Sequence, residues 1–146
     1  MIKISNLHKY YGTKDNKVEV LKGIDLELED GKIICVLGPS GSGKSTLLNI
    51  LGGIETIDEG DVSVFDKDIK SMSKKALENY RRDYLGFVFQ FYNLISDLNL
   101  LENVQVGEYL SKEPLDIDEL LKDLGLDDHK YKYPNEISGG QAQRAS

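Results

Sequence analysis

The sequence predicts an α/β domain in which a short antiparallel sheet precedes a core of buried parallel strands and helices. Three observations predict it. The first segments alternate apolar and polar residues as half-buried strands do. Two later runs, Ile33-Ile34-Cys35-Val36-Leu37 and Leu85-Gly86-Phe87-Val88-Phe89, are apolar without alternation, the pattern of strands covered on both faces. The first of these runs straight into a glycine-rich loop and then a helical pattern, the order of a strand–loop–helix unit. With 146 residues the chain suits one ordinary core and is short for two.

Taken in order, Met1 to Leu7 alternates and reads as a strand, Lys9 to Lys17 supplies Gly, Asp and Asn for a turn, and Val18 to Leu28 resumes the alternation. Asp30-Gly31 makes a tight turn ahead of the buried strand at 33–37. Leu47, Leu48, Ile50 and Leu51 favour a helix from Lys44 to Leu51, ended by Gly52-Gly53. A hairpin-like piece follows at Asp61 to Phe65, then a polar helical stretch from Ser73 to Asp83 and the second buried strand at 85–89. Ile117, Leu120, Leu121 and Leu124 fall at i, i+3, i+4 and i+7 on one helix face, with Asp116 placed to cap its start and Gly125 its end.

Composition narrows the function. The net charge of −7 argues against a nucleic-acid partner, because phosphate backbones are held by clustered Lys and Arg. No run approaches the ~20 apolar residues of a membrane-spanning helix, and no basic segment followed by an apolar one opens the chain, so the expectation is a cytoplasmic protein. The single Cys35 sits within an apolar run and reads as a buried, inert thiol. His8 and His129 have no ligand spacing and read as surface residues.

The chemistry lies in Gly38-Pro39-Ser40-Gly41-Ser42-Gly43-Lys44-Ser45, which matches G-x-x-x-x-G-K-S/T at every required position, with Thr46 following. Glycines let such a loop wrap phosphate oxygens closely, so that backbone N–H groups and a helix N-terminus point at the anion. Lys44 adds a charge near the β and γ phosphates, and the Ser45 hydroxyl is placed to ligand Mg²⁺. A guanine reader of the form Asn-Lys-x-Asp does not occur; Asn16-Lys17-Val18-Glu19 lacks the Asp and precedes the loop. Ile137-Ser138-Gly139-Gly140-Gln141 starts a second anion-binding nest at a helix start.

Together these segments resemble the ATP-binding subunits of ABC transporters, whose signature is usually Leu-Ser-Gly-Gly-Gln, with Ile137 the single departure. Val88-Phe89-Gln90 is similar to the family's Q-loop and Lys9-Tyr10-Tyr11-Gly12 to its adenine-stacking segment. Arg81-Arg82-Asp83, Asn93-Leu94-Ile95 and Leu101-Glu102-Asn103-Val104 resemble the ATPases of macrolide-export, lipoprotein-release and antimicrobial-peptide-export systems. The resemblance implies a P-loop ATPase core with an N-terminal antiparallel subdomain and part of a helical signature subdomain, with the later core strands missing. It divides a single, incomplete ATP-binding domain into 1–90, antiparallel subdomain plus P-loop core, and 91–146, helical subdomain up to the signature.

The same resemblance implies ATP and Mg²⁺ as cofactors. Gly38, Pro39, Ser40, Gly41, Ser42, Gly43, Lys44, Ser45 and Thr46 hold phosphate, and Tyr11 stacks on adenine with Tyr10 as its rival. Gln90 and Lys44 act in catalysis, and Ser45 and Gln90 hold the metal. Ser138, Gly139, Gly140 and Gln141 meet the nucleotide of a second ATP-binding subunit in a head-to-tail dimer. A membrane-spanning permease is the further partner, placing the protein at the inner face of the cell membrane. The family's Walker B Asp-Glu and switch histidine follow the signature and do not occur before Ser146, so these residues alone are expected to lack the catalytic base. Two other readings remain at this point: an ABC-type ATPase of repair or translation, and a nucleotide-binding product that does not hydrolyse.

Overall fold

Alternation in the first strand, β1 (Ile2–Tyr11), changes parity part of the way along. Ile4 is buried, and the next buried residues are Leu7 and Lys9. Pairing slips by one residue between Ile4 and Leu7 against β2, where it is reversed by His8, and between Ser5 and His8 against β3, and Asn6 takes φ 46°, a left-handed value that asparagine tolerates better than most residues. One extra residue in a strand turns every later side chain to the other face. Lys9 therefore inherits an inward position that an unbroken alternation would have kept for an even-numbered residue.

The computed structural model describes residues 1–13 and 15–146; Lys14, within the turn expected at 9–17, lies outside the described residues. The chain divides into two units, Met1–Leu85 and Gly86–Ser146. In the first, β1 lies between β2 (Val18–Leu28) and β3 (Glu59–Val64), and the two-residue β4 (Lys67–Asp68) extends the sheet, in the order β2-β1-β3-β4 with every pairing antiparallel. Helices α1 (Lys44–Leu51) and α2 (Lys74–Tyr84) complete this unit. Leu47 and Ile50 of α1 and Tyr80 of α2 join Ile4, Leu7, Leu21, Val62, Val64 and Ile69 in one core. The last carbonyls of a helix lack partners within it, and α2 supplies one for α1: Tyr80 Oη donates to Leu51 O at 2.7 Å, and Arg81 donates to Gly53 O, just beyond the end of α1, at 2.7 Å.

The buried strands expected at 33–37 and 85–89 do not form among the described residues. Ile33, Leu37, Val88 and Phe89 are exposed. A strand apolar on both faces needs ladder partners at its edges and a layer over each face, and no described segment supplies them. Cys35, expected as a buried thiol, is exposed for the same reason.

In the second unit, α3 (Leu100–Leu110), α4 (Ile117–Asp123) and α5 (Gly139–Ala145) are joined through 3₁₀ turns at Asp127–His129 and Pro134–Glu136. Leu100, Leu121 and Leu126 form its core, with Val104, Ile117, Leu124 and Ile137 packed around them. Asp116 caps α4 by accepting from Glu119 N at 2.9 Å, as its position in the sequence suggests. His8 and His129 are half-buried rather than on the surface, and His8 bonds Glu19 at 2.6 Å and Asn6 at 3.1 Å. Among the described residues no helix is long and apolar enough to cross a membrane.

Candidate functional site

The glycine-rich loop is seated by one residue, Gly43. It is the N-cap of α1 at φ 88° and provides no side-chain cap. A Cβ here would lie 2.8 Å from Leu21 Cδ2 and 3.2 Å from Val20 O on β2. Both the left-handed φ and the closeness to β2 therefore call for glycine. The first turn of α1 contains no acidic residue. Its free N–H groups and the positive end of its dipole are left for an external anion.

Lys44 folds back over this loop, its Nζ donating to Gly38 O at 2.9 Å and Pro39 O at 2.7 Å. Ser42 N donates to Pro39 O at 3.3 Å, closing the turn around Ser40 and Gly41. An ammonium held by two neutral carbonyls in an exposed loop is ready to exchange them for phosphate oxygens, because a charged acceptor makes a stronger hydrogen bond. Thr46 is half-buried on α1, and Ser45 is exposed beside it.

The two tyrosines that the sequence offers for adenine have different surroundings. Tyr10 stacks on His8 with ring centroids 6.2 Å apart, and Lys17 Nζ lies 3.7 Å from its ring centroid. Burial, followed by the nearby Glu19 and Glu59 carboxylates, raises the Tyr10 phenol above its ordinary pKa. Tyr11 is 40% exposed. It pairs with Val18, two residues along β2 from the Val20 against which Gly43 sits. Its hydroxyl donates to Glu55 Oε2 at 3.1 Å.

Glu55 belongs to a cluster that sequence reasoning missed. Lys9 is only 4% exposed, and its Nζ reaches Glu55 Oε1 at 3.0 Å, Thr56 O at 2.8 Å, Thr56 Oγ1 at 2.9 Å and Asp58 Oδ1 at 3.5 Å. The hydrogen bond from Lys9 is the main cause that holds the Glu55 carboxyl below the usual carboxylate range. A signal was present in the sequence: the spacing of three from Ile4 to Leu7 marks the parity change that sends Lys9 inward.

Gln90 is exposed in the second unit. Downstream of it, the segment 95–99 is held by Asn103, which accepts from Ile95 N at 2.7 Å and donates to Ile95 O, Leu98 O and Asn99 O at 3.1, 3.0 and 2.9 Å. Ser138 caps α5 in a reciprocal box: its Oγ accepts from Gln141 N at 3.3 Å, and Gln141 Oε1 accepts from Ser138 N at 2.7 Å. Gln141 thereby has a local use for its amide, while Ser138, Gly139 and Gly140 are exposed. In the first unit Ser45 presents an exposed hydroxyl, a hard donor of the kind Mg²⁺ takes beside phosphate and water; among the described residues no cluster of His, Cys, Asp and Glu could hold a metal ion.

The sequence matches the ABC transporter family over residues 21–146. It is 44% identical to the bacitracin export ATP-binding protein BceA of Halalkalibacterium halodurans, over 100% of this chain and 60% of that protein. It is 40% identical to the lipoprotein-releasing system ATP-binding protein LolD of Cytophaga hutchinsonii, over 100% of this chain and 67% of that one. Among solved structures, the ATP-binding cassette MJ0796, a dimer in a post-hydrolysis state bound to ADP and Pi, superposes with a TM-score of 0.87 at 35% identity, covering 99% of this chain and 66% of its own. The chain thus spans about 60% of the BceA protein that it matches. With a P-loop seated on an antiparallel sheet and a capped Ser-Gly-Gly turn in a helical unit, matched along its whole length by these relatives, the chain belongs to the ATP-binding subunits of the ABC transporter family.

Proposed function

We propose that this chain binds MgATP and contributes to an ATPase that drives export through a separate membrane permease, from the inner face of the membrane. The observation that carries the reading is the open N-terminus of α1, with Gly43 seating the loop and Lys44 Nζ held by the carbonyls of Gly38 and Pro39. The P-loop from Gly38 to Thr46 receives the phosphates, and Tyr11 takes the adenine ring. Ser45 and Gln90 are the residues that would hold Mg²⁺, which would offset charge on the β and γ phosphates. Gln90 orients water, and Lys44 with the loop amides stabilises the charge that develops on the γ-phosphate. The relatives named for bacitracin export and lipoprotein release support the direction of transport. The dimeric cassette supports a second copy whose Ser138 to Gln141 would complete the site.

Lys44→Ala tests the assignment. It deletes the charge facing the phosphates and is expected to weaken MgATP binding by about 2 kcal/mol, the scale of a charge-assisted hydrogen bond. Calorimetric titration of the variant with ATP at unchanged affinity would refute the P-loop reading.

A further inference from the structure

We propose that Glu55 and the buried Lys9 form a latch that fixes the ring of Tyr11 as the platform for the nucleotide base, which makes Glu55 a positioning residue for ATP binding. The inference rests on the reading of Tyr11 as the adenine-stacking residue. An exposed tyrosine at a strand end rotates among several side-chain positions, and a ring must be held in one of them to stack well. Tyr11 ends β1, and the chain turns away at Gly12, where φ is 100°. Its backbone alone therefore leaves the ring free. Glu55 removes that freedom through one carboxylate oxygen on the Tyr11 hydroxyl, while the other faces Lys9 Nζ.

The carboxylate is itself held from three sides. Besides the Tyr11 hydroxyl on Oε2, Thr56 N donates to Oε1 at 3.1 Å and Lys9 Nζ lies 3.0 Å from the same oxygen, while the backbone of the residue is fixed separately, Glu55 N donating to Asn49 O at 3.1 Å. Ile54 N donates to the same carbonyl at 2.9 Å. Asn49 lies on α1, the helix that opens with Lys44. The residue that orients the base platform is thus hydrogen-bonded to the helix that binds phosphate. Lys9 Nζ also sits 5.4 Å from the Tyr11 ring centroid, within the reach of a cation–π contact. A lysine 4% exposed with four oxygens around it is costly to desolvate, and such buried ionic groups can serve by fixing one geometry more than by adding stability. By contrast, a cluster that served only to join β1 to the 54–58 loop would not need the Tyr11 hydroxyl.

The test titrates the protein with two ligands in the presence of Mg²⁺: ATP, which has a base, and inorganic tripolyphosphate, which has none. Glu55→Ala is expected to weaken ATP binding by about fivefold, the scale of one aromatic contact, and to leave tripolyphosphate affinity unchanged. Glu55→Gln keeps an acceptor for the phenol and should restore part of the loss. Tyr11→Phe removes the hydroxyl alone and should weaken ATP binding by a similar factor, with no further loss when Glu55→Ala is added. Should Glu55→Ala fail to fold because Lys9 is left without its partner, Tyr11→Phe carries the test by itself. Unchanged ATP affinity in Tyr11→Ala would overturn the base reading and the latch together. A loss in Tyr11→Ala with none in Tyr11→Phe or Glu55→Ala would overturn the latch and leave the base reading standing. Equal losses for both ligands in Glu55→Ala would show that it acts on the phosphate helix or on folding, and would also overturn the proposal.

Discussion

Tyr80 shows how one side chain ties α1 into its unit. Its ring is 2% exposed, its hydroxyl donates to Leu51 O at the end of α1, and burial pushes its pKa up to about 12. An unfolded tyrosine ionises near 10. Between these values the folded state holds a proton that the unfolded state has lost, so stability is full below about pH 10 and falls as pH rises toward about 12. Denaturant midpoints measured from pH 8 to 12 should show this decline, and Tyr80→Phe should flatten it; an equal slope in the variant would assign the decline to other groups. At neutral pH the same substitution should cost about 1 kcal/mol, the net value of a typical hydrogen bond. Little of this scale was legible beforehand. The P-loop residues could be named because their spacing is itself the chemistry, whereas Lys9, Glu55 and Asn103 act through partners distant in sequence. The hydroxyl of Tyr11 likewise has no role in stacking as such, and only its contact with Glu55 supplies one.

Elements that carry their own local signals were readable from sequence, and those that depend on distant neighbours were not. Helix α1 begins at Lys44 and ends at Leu51 as the glycines around it require, and α4 starts at Ile117 behind its Asp116 cap. Helix α3 went unread although Asn99 and Glu102 form a reciprocal cap at its start, with Asn99 N donating to Glu102 Oε2 at 2.8 Å and Glu102 N to Asn99 Oδ1 at 2.9 Å. The Asn99-x-x-Glu102 spacing of that cap is itself visible in the sequence. Helix α5 raises a different question, because its capping box engages both Ser138 and Gln141. The Ser138 hydroxyl accepts in that box and keeps its proton free to donate to a nucleotide of a second copy. Ser138→Arg should therefore leave ATP affinity of the single subunit nearly unchanged while abolishing ATP-dependent dimerisation. Titration at low protein concentration and sedimentation with ATP would separate the two. Equal loss in both would contradict a site shared between copies.

At the scale of the whole molecule, the sheet that forms is the one whose strands pair with close neighbours in sequence, β1 with β2 and β3 with β4, together with the β1–β3 pairing. The runs 33–37 and 85–89 have the composition of central strands but find no ladder among the described residues. Their alternation-free pattern predicts strands covered on both faces, and neither strand forms, because composition does not say what provides the cover. Apolar segments with unpaired backbone favour association with other chains, so a polypeptide of residues 1–146 should self-associate as its concentration rises. The same polypeptide should show no ATP hydrolysis of its own. Of the groups proposed above for the site, Lys44 is a cation and Ser45 and Gln90 are neutral, so none of them is a general base for water. Positioning and charge stabilisation at such a centre account for several orders of magnitude in rate, so binding without that group leaves turnover near the uncatalysed level. Phosphate release from purified residues 1–146, measured beside the Lys44→Ala variant to remove contaminating ATPases, should be the same for both. Turnover that Lys44→Ala abolishes would instead place a catalytic group within these residues, with the exposed residues Asp97 and Glu136 the first to be substituted in search of it.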